Sequence, residues 1–194
     1  VVVGDDWQAI YAFRGATVEP FLRFRKYFPG ARRFYLADNY RSLPSIVQAG
    51  QKVIKGSSQR LSKRVRPTRR GSADVLSLTM ETGREAALAA CLGSAGADYR
   101  ILCRSNFRVR QWVRSGIPEN RVLTIHKAKG LEFPVVFLDL MGGWNGDESK
   151  TREALDEEVR ILYVGVTRAM NRLVCLRRPR YGDDESEGRL WGLL

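Results

Sequence analysis

Apolar residues along this 194-residue chain come in short bursts, and their spacing switches repeatedly between a strand-like period of two and a helix-like period near 3.6. Residues 1–4 are a β-branched run that leads into Gly4-Asp5-Asp6, which predicts a buried strand feeding a loop. Residues 18–28 predict a helix closed by Pro29-Gly30, and residues 33–37 a strand. Ser42 and Pro44 mark a helix start; Ile46, Val47, Gly50, Val53 and Ile54 then share one helical face, and Gly56 stops it. Further on, strands are expected at 73–79, 100–103, 121–125, 134–139 and 173–176, with helices at 83–92, 106–114 and 153–169. The last helix is amphipathic, with Leu155, Val159, Leu162, Tyr163 and Val166 on one face. Strands alternating with helices predict an α/β fold with a parallel sheet flanked by helices.

The same pattern divides the chain. Residues 1–56 form one stretch, 57–72 a polar linker, 73–178 the main α/β unit and 179–194 a tail, of which 179–188 reads as mobile, with Pro, Gly and four acids. Between Arg60 and Arg70 the linker holds six basic residues and no acidic one, which fits a solvated hinge and a contact to DNA phosphates equally well. The chain is long enough for one good core, or for one domain plus a piece of another. It begins at Val1 with a strand-like run already under way, so upstream sequence is expected to be missing.

Composition narrows the class. Hydrophobic content of 44% and charged content of 28% read as soluble and globular. Apolar runs such as Val135-Val136-Phe137-Leu138 are far too short to span a bilayer, and the start has no signal-peptide layout, so a cytoplasmic site of action is expected. Three cysteines without metal-ligand spacing fit buried thiols in a reducing compartment, and the single histidine, His126, excludes a His-rich metal site. The net charge of +12 favours a polyanion such as nucleic acid and says nothing about chemistry.

Four segments carry polar residues where chemistry is done. Gly4-Asp5-Asp6-Trp7-Gln8-Ala9-Ile10-Tyr11-Ala12-Phe13-Arg14-Gly15-Ala16 puts Gln8 and two carboxylates after the first expected strand, and sets Tyr11 and Phe13 beside Arg14, as stacking on unpaired bases requires. A turn with core aromatics explains it as well. Leu36-Ala37-Asp38-Asn39-Tyr40-Arg41-Ser42 offers a planar guanidinium to a phosphate, though such arginines are commonly surface residues. Residues 123–133, Leu-Thr-Ile-His-Lys-Ala-Lys-Gly-Leu-Glu-Phe, end a strand with Thr124, His126 and two lysines, and Gly130 lets backbone amides approach a phosphate. His126 has no triad partners and fits a structural hydrogen-bonder. Residues 157–169 end a helix with Arg168, which suits either a finger arginine or a salt-bridged surface.

Taken in order, these segments resemble motifs III, IV, V and VI of UvrD/Rep-type superfamily 1 DNA helicases, and residues 99–106 resemble the segment called IVa. The resemblance covers most of the chain, and implies a RecA-like, P-loop NTPase-type fold: a second RecA-like domain (2A, 73–178) with the remnant of a first (1A, 1–56). It implies Gln8, Arg41 and Arg168 as the catalytic groups facing the γ-phosphate of ATP. Tyr40 would stack on the base, Glu132 bond the ribose, and Gly130 approach the phosphates. Tyr11, Phe13, Arg14, Thr124 and His126 would face single-stranded DNA, either free or as the tail of a duplex. Phe13 stands where many relatives have Trp, Trp7 where a small or acidic residue is common, and Lys127 where Ser or Ala is usual.

No GxxxxGK[ST] phosphate loop and no acidic DExx motif occurs in the chain. ATP hydrolysis would therefore belong to a longer parent whose N-terminal RecA-like half supplies both, and Mg²⁺ would be held mainly there. About 15 residues separate IVa from motif V, too few for the 2B insertion. The family implies an ATP-dependent 3′-to-5′ translocase, expected in the cytoplasm in association with the nucleoid, or as a viral protein acting in the host cytoplasm. The rival reading is a non-catalytic single-stranded DNA-binding module derived from a helicase, disfavoured by the retained Gln8, Arg41, Glu132 and Arg168. Fusion to a nuclease ranks lowest, since no carboxylate cluster for one is present.

Overall fold

The structure, a computed structural model, describes residues 1–81, 83–94, 98–144 and 151–179. Its strands are β1 (Asp38–Asn39), β2 (Arg66–Pro67), β3 (Asp74–Thr79), β4 (Tyr99–Cys103), β5 (Val122–Thr124), β6 (Phe133–Asp139) and β7 (Ala169–Arg177). Its helices are α1 (Glu19–Leu22), α2 (Phe24–Tyr27), α3 (Pro44–Ile54), α4 (Glu85–Ser94), α5 (Asn106–Arg114), α6 (Ile125–Ala128) and α7 (Arg152–Val166). Five strands form one sheet in the order β3-β7-β6-β4-β5, and every pairing is parallel. The expected parallel α/β fold, flanked by helices, is therefore the observed one.

Strand periodicity sorts the core into two layers. Leu102, Val136, Leu138, Leu173 and Cys175 join one buried cluster with residues of α3, α6 and α7. Tyr99, Ile101, Cys103, Val174 and Leu176 join the other with Ala89 of α4 and Trp112 of α5. Burial on both faces is what an all-parallel sheet requires. Trp7, Ile10, Ile46, Val53 and Ile54 belong to the first cluster, so residues from 1–56 and from the sheet share one core.

Helix α3 matches its expected face: Ile46, Val47, Gly50, Val53 and Ile54 are all buried. Gly50 permits the approach to α7, because a Cβ there would sit 3.0 Å from Thr167 Cγ2. A Cβ on Gly165 would lie 2.8 Å from Leu138 Cδ1, which seats α7 close on β6. Helix α7 ends at Val166 and is not amphipathic in its second half: every residue from Glu158 to Val166 is buried. The sheet covers one side, and α3 with residues 5–12 covers the rest, which a two-sided sequence pattern does not reveal.

Three further expectations fail. Residues 1–4 form no strand and Val1, Val2 and Val3 are exposed, because no described strand lies alongside to pair with them. Residues 33–37 are likewise irregular; pairing begins only at β1, where Arg66 N donates to Ala37 O at 2.7 Å. The helix expected at 18–28 breaks at Arg23 into the single turns α1 and α2. The linker 57–72 is no free hinge. Lys63 pairs with Asp5 and Asp6, Arg66 with Asp38, and Arg69 donates to the carbonyls of Arg41 and Met170. Three of its six cations thus tie it to the fold. Residues 180–194, nearly all of the expected tail, lie outside the described residues.

Candidate functional site

Two polar regions lie at opposite ends of the parallel strands. The first is at the starts of β6 and β7. Arg168, 1% exposed, donates to Val164 O at 3.0 Å, Leu131 O at 3.0 Å and Thr167 Oγ1 at 3.1 Å, all neutral acceptors. Burial, with Arg41 nearby, brings its pKa down to about 10, and Tyr163, Glu132 and Asp5 offset this in part. Arg168 thus stays cationic at neutral pH. Arg41 reaches it from the loop before α3, and its Nε donates to Glu132 Oε2 at 2.6 Å. The Arg41 loop is fixed by Asn39, whose side-chain oxygen accepts from the N–H groups of Arg41 and Ser42, and by Ser42 Oγ, which donates to Ala169 O at 2.6 Å.

Residues 5–8 approach the same region from the other side of Tyr163. Gln8 Nε2 donates to Asp5 Oδ2 at 2.7 Å within a 3-10 turn capped by Asp5. Trp7 is buried edge-on against Tyr163, ring centroids 5.5 Å apart. Burial, and then the Asp5 charge, push the Tyr163 hydroxyl pKa up, while Arg168 and Arg41 oppose. Those contributions put Asp5, Arg41, Arg168 and Tyr163 in one electrostatic neighbourhood. Tyr40 is exposed beside Arg41, and Gly130 (φ +90°) is exposed in the turn before Glu132 with nothing within 4 Å of an added Cβ. A buried arginine and a partly exposed one thus share this region with Glu132.

The second region is a groove of about 500 Å³ at the carboxyl ends of β4 and β5. Phe13, Arg104, Asn106, Thr124, His126 and Lys127 line it. Thr124 caps α6, its Oγ1 accepting from Lys127 N at 3.3 Å. His126 Nε2 lies 3.0 Å from Ile10 O, which ties α6 to the stretch carrying the aromatics. Burial, then Arg104, lowers the His126 pKa below its ordinary 6.5, so the ring is neutral at pH 7. Phe13 stands edge-on to His126 at 5.5 Å and is 65% exposed, while Tyr11 lies 6.0 Å from His126. Arg14 sits over Tyr11 and Phe13 at 5.6 and 5.5 Å, and Lys129 over Tyr11 at 4.8 Å. Aromatic faces interleaved with cations along an open groove can stack bases and hold phosphates.

All eleven expected site residues therefore fall at these two regions: Gln8, Arg41, Arg168, Tyr40, Gly130 and Glu132 at the first, Tyr11, Phe13, Arg14, Thr124 and His126 at the second. Residues 124–132 run from one to the other. Sequence reasoning missed Arg104, which lines the groove and makes a two-toothed pair with Glu158 at 3.0 and 2.7 Å; its place directly after a strand was the available signal. It also missed Lys63, since nothing in a run of cations marks the one with a distant partner.

Residues 113–177 match the family model of the UvrD-like helicase C-terminal domain, and residues 1–29 that of the UvrD/REP helicase N-terminal domain. Over these two segments the chain is similar to UvrD-type DNA helicases. It is 28% identical over 199 aligned positions to DNA helicase IV of Escherichia coli (strain K12), covering 90% of this chain and 29% of that protein. It is 45% identical over 65 residues to DNA helicase II of the same strain, covering 34% of this chain and 9% of that protein. The chain thus spans less than a third of either relative. Among solved structures, the C-terminal domain of a possible DNA helicase from Lactobacillus plantarum WCFS1 superposes with a TM-score of 0.49 at 19% identity, over 78% of this chain and 94% of that one.

The carboxylates at the first region do not suit Mg²⁺ on their own. Asp5 and Asp6 are already paired with Lys63, and the described residues hold no cluster of three metal-ligating side chains. No helix among them is long and apolar enough to cross a membrane.

Proposed function

We propose that this chain is the part of an ATP-dependent 3′-to-5′ DNA helicase that senses the γ-phosphate and grips single-stranded DNA. The observation that carries this reading is Arg168: a buried guanidinium whose hydrogen bonds among the described residues go to neutral oxygens, with the Arg41 charge acting on it. Two such cations gain most from a polyanion that arrives between them, and gain more as charge grows on a transferring phosphoryl group. Gln8 orients the attacking water, Glu132 exchanges Arg41 for the ribose, and Tyr40 stacks on the base. Phe13, Tyr11 and Arg14 hold unpaired bases, with Thr124 and His126 linking the DNA groove to the nucleotide side through residues 124–132. The N-terminal RecA-like half of a longer parent supplies the phosphate loop and the carboxylate for Mg²⁺.

The test is single-turnover ATP hydrolysis, with Mg²⁺ and single-stranded DNA, by a protein that joins this chain to its phosphate-loop half. DNA-stimulated hydrolysis that falls by about 10³-fold or more in Arg168→Ala supports the reading. Duplexes with 3′ or 5′ single-stranded tails test the polarity. Salt-sensitive DNA binding without hydrolysis would replace it with a non-catalytic binding module.

A further inference from the structure

Lys63 comes from the basic linker, yet it is largely buried at the first site. Its ammonium pairs with Asp5 Oδ1, bonds Asp6 Oδ1 at 2.9 Å and lies 4.6 Å over the Trp7 ring. The surrounding contacts leave it little freedom. Asp6 is 1% exposed and its other oxygen accepts from Leu61 N at 2.7 Å, while Trp7 Nε1 donates to Leu61 O at 3.0 Å. The Asp6 and Trp7 side chains therefore clasp the Leu61 backbone between them and bring Lys63 to Asp5.

Asp5 divides its two oxygens. Oδ1 takes Lys63 and the Trp7 N–H (3.1 Å), and Oδ2 takes the Gln8 side-chain amide at 2.7 Å. Without the ammonium, Asp5 keeps only the short-range bonds of its own turn, and a half-exposed carboxylate is free to rotate toward water. With it, Oδ2 is aimed at Gln8. Because a carboxylate only accepts, it selects the NH₂ end of the Gln8 amide and leaves the carbonyl Oε1 as the end that can accept from a water.

We propose that Lys63 is a positioning residue for Gln8: acting through Asp5, it fixes which end of the Gln8 amide faces the nucleotide side. The inference rests on the role given to Gln8 above and adds a dependence on the linker. Any shift of residues 61–63 would release Gln8, so the linker and the γ-phosphate site are coupled by one ammonium.

The experiment has two arms. In the first, the side-chain amide resonances of Gln8 are followed by ¹⁵N–¹H NMR in this chain, with the Trp112 indole signal as the monitor of fold. Lys63→Met should bring the two Gln8 amide protons toward the shifts of a free amide, and Lys63→Arg should restore the wild-type positions. If Lys63→Met does not fold, Lys63→Gln is read in its place. A folded variant with unmoved Gln8 resonances overturns the proposal. In the second arm, ATP hydrolysis by the phosphate-loop-containing protein should lose about 10- to 100-fold in kcat with Lys63→Met and little in KM. The same change in a Gln8→Ala background should cost nothing further. Equal losses in both backgrounds overturn the proposal. A wild-type protein that hydrolyses no ATP refutes the helicase reading instead, and the first arm still decides Lys63.

Discussion

Asp139 ends β6 with no solvent exposure and holds three donors: Arg108 Nε at 2.7 Å, Trp112 Nε1 at 2.9 Å and Met141 N at 2.9 Å. Arg108 and Trp112 are both on α5, and Arg108 also touches Glu85 of α4 at 3.3 Å. Burial works to lower the Arg108 pKa, but the Asp139 hydrogen bond and charge, with Glu85 behind them, raise it above its ordinary value. The carboxylate is thus the anchor of both helices on that face. Asp139→Ala removes it and strands a buried guanidinium and two N–H groups. Breaking a buried pair from one side costs about 3–5 kcal/mol, most of it the cost of the donors left unpaired. Because Glu85 retains part of the charge pairing, about 4 kcal/mol is expected. That is a large fraction of the roughly 5–15 kcal/mol that holds such a domain, and about 8–16 °C in Tm. Asp139→Asn keeps an acceptor and should lose about half as much. The half-exposed pair of Asp74 and Arg172 is the control, and Asp74→Ala should cost under about 1 kcal/mol. Urea unfolding followed by circular dichroism measures all three. An Asp139→Ala midpoint no lower than that of Asp74→Ala would refute the reasoning. The same change should loosen the groove of Phe13 and His126, whose wall at Arg104, Ser105 and Asn106 leads into α5.

Other outcomes follow from the same geometry. His126 supplies the only imidazole signal, and its NMR titration should report a pKa below 6.5. Since the folded value is the lower one, the unfolded chain binds the proton more readily; stability from this group is whole above pH 6.5 and lost as pH falls through the folded pKa, so a wild-type titration at or above 6.5 contradicts it. Phe13→Ala should weaken binding of a labelled oligothymidine, read by fluorescence anisotropy, by about 5- to 150-fold, the worth of one stacked base; an unchanged affinity removes Phe13 from the DNA surface. Cys103 and Cys175 are buried, and burial pushes the Cys103 thiol up strongly and Cys175 to about 11, whereas Cys91 is exposed. A thiol-specific chromogenic reagent should therefore titrate one thiol quickly in the native chain and three after denaturation.

What the sequence carried and what it did not can be argued from single residues. The faces of α3 and the strands β4 to β7 were legible because each buries a set of apolar side chains, and the pattern survives in the letters. Residues 1–4 and 33–37 have strand composition, but a strand exists only if a neighbour pairs with it, and that neighbour is a tertiary fact. Arg41 and Arg168 were visible through a family pattern; that Arg41 rests on Glu132, 91 residues away, was not. Lys63 and Asp139 show the same limit from opposite sides. One is a cation among cations and the other an acid at the end of an apolar strand, and only the fold assigns their partners.

The order β3-β7-β6-β4-β5 has a consequence for how the molecule is made. In the sheet, β3 touches only β7, and its pair Asp74 and Arg172 are 98 residues apart. During synthesis β3 emerges first among the five strands and waits for the last. Until then Leu76 and Leu78 sit on a strand with both edges open, which is the form of chain that pairs with strangers. Growth from β4 to β6 can proceed meanwhile, so the sheet closes by insertion of its final strand between two that already exist, and shortening the chain within β7 would undo both sides of the seam at once.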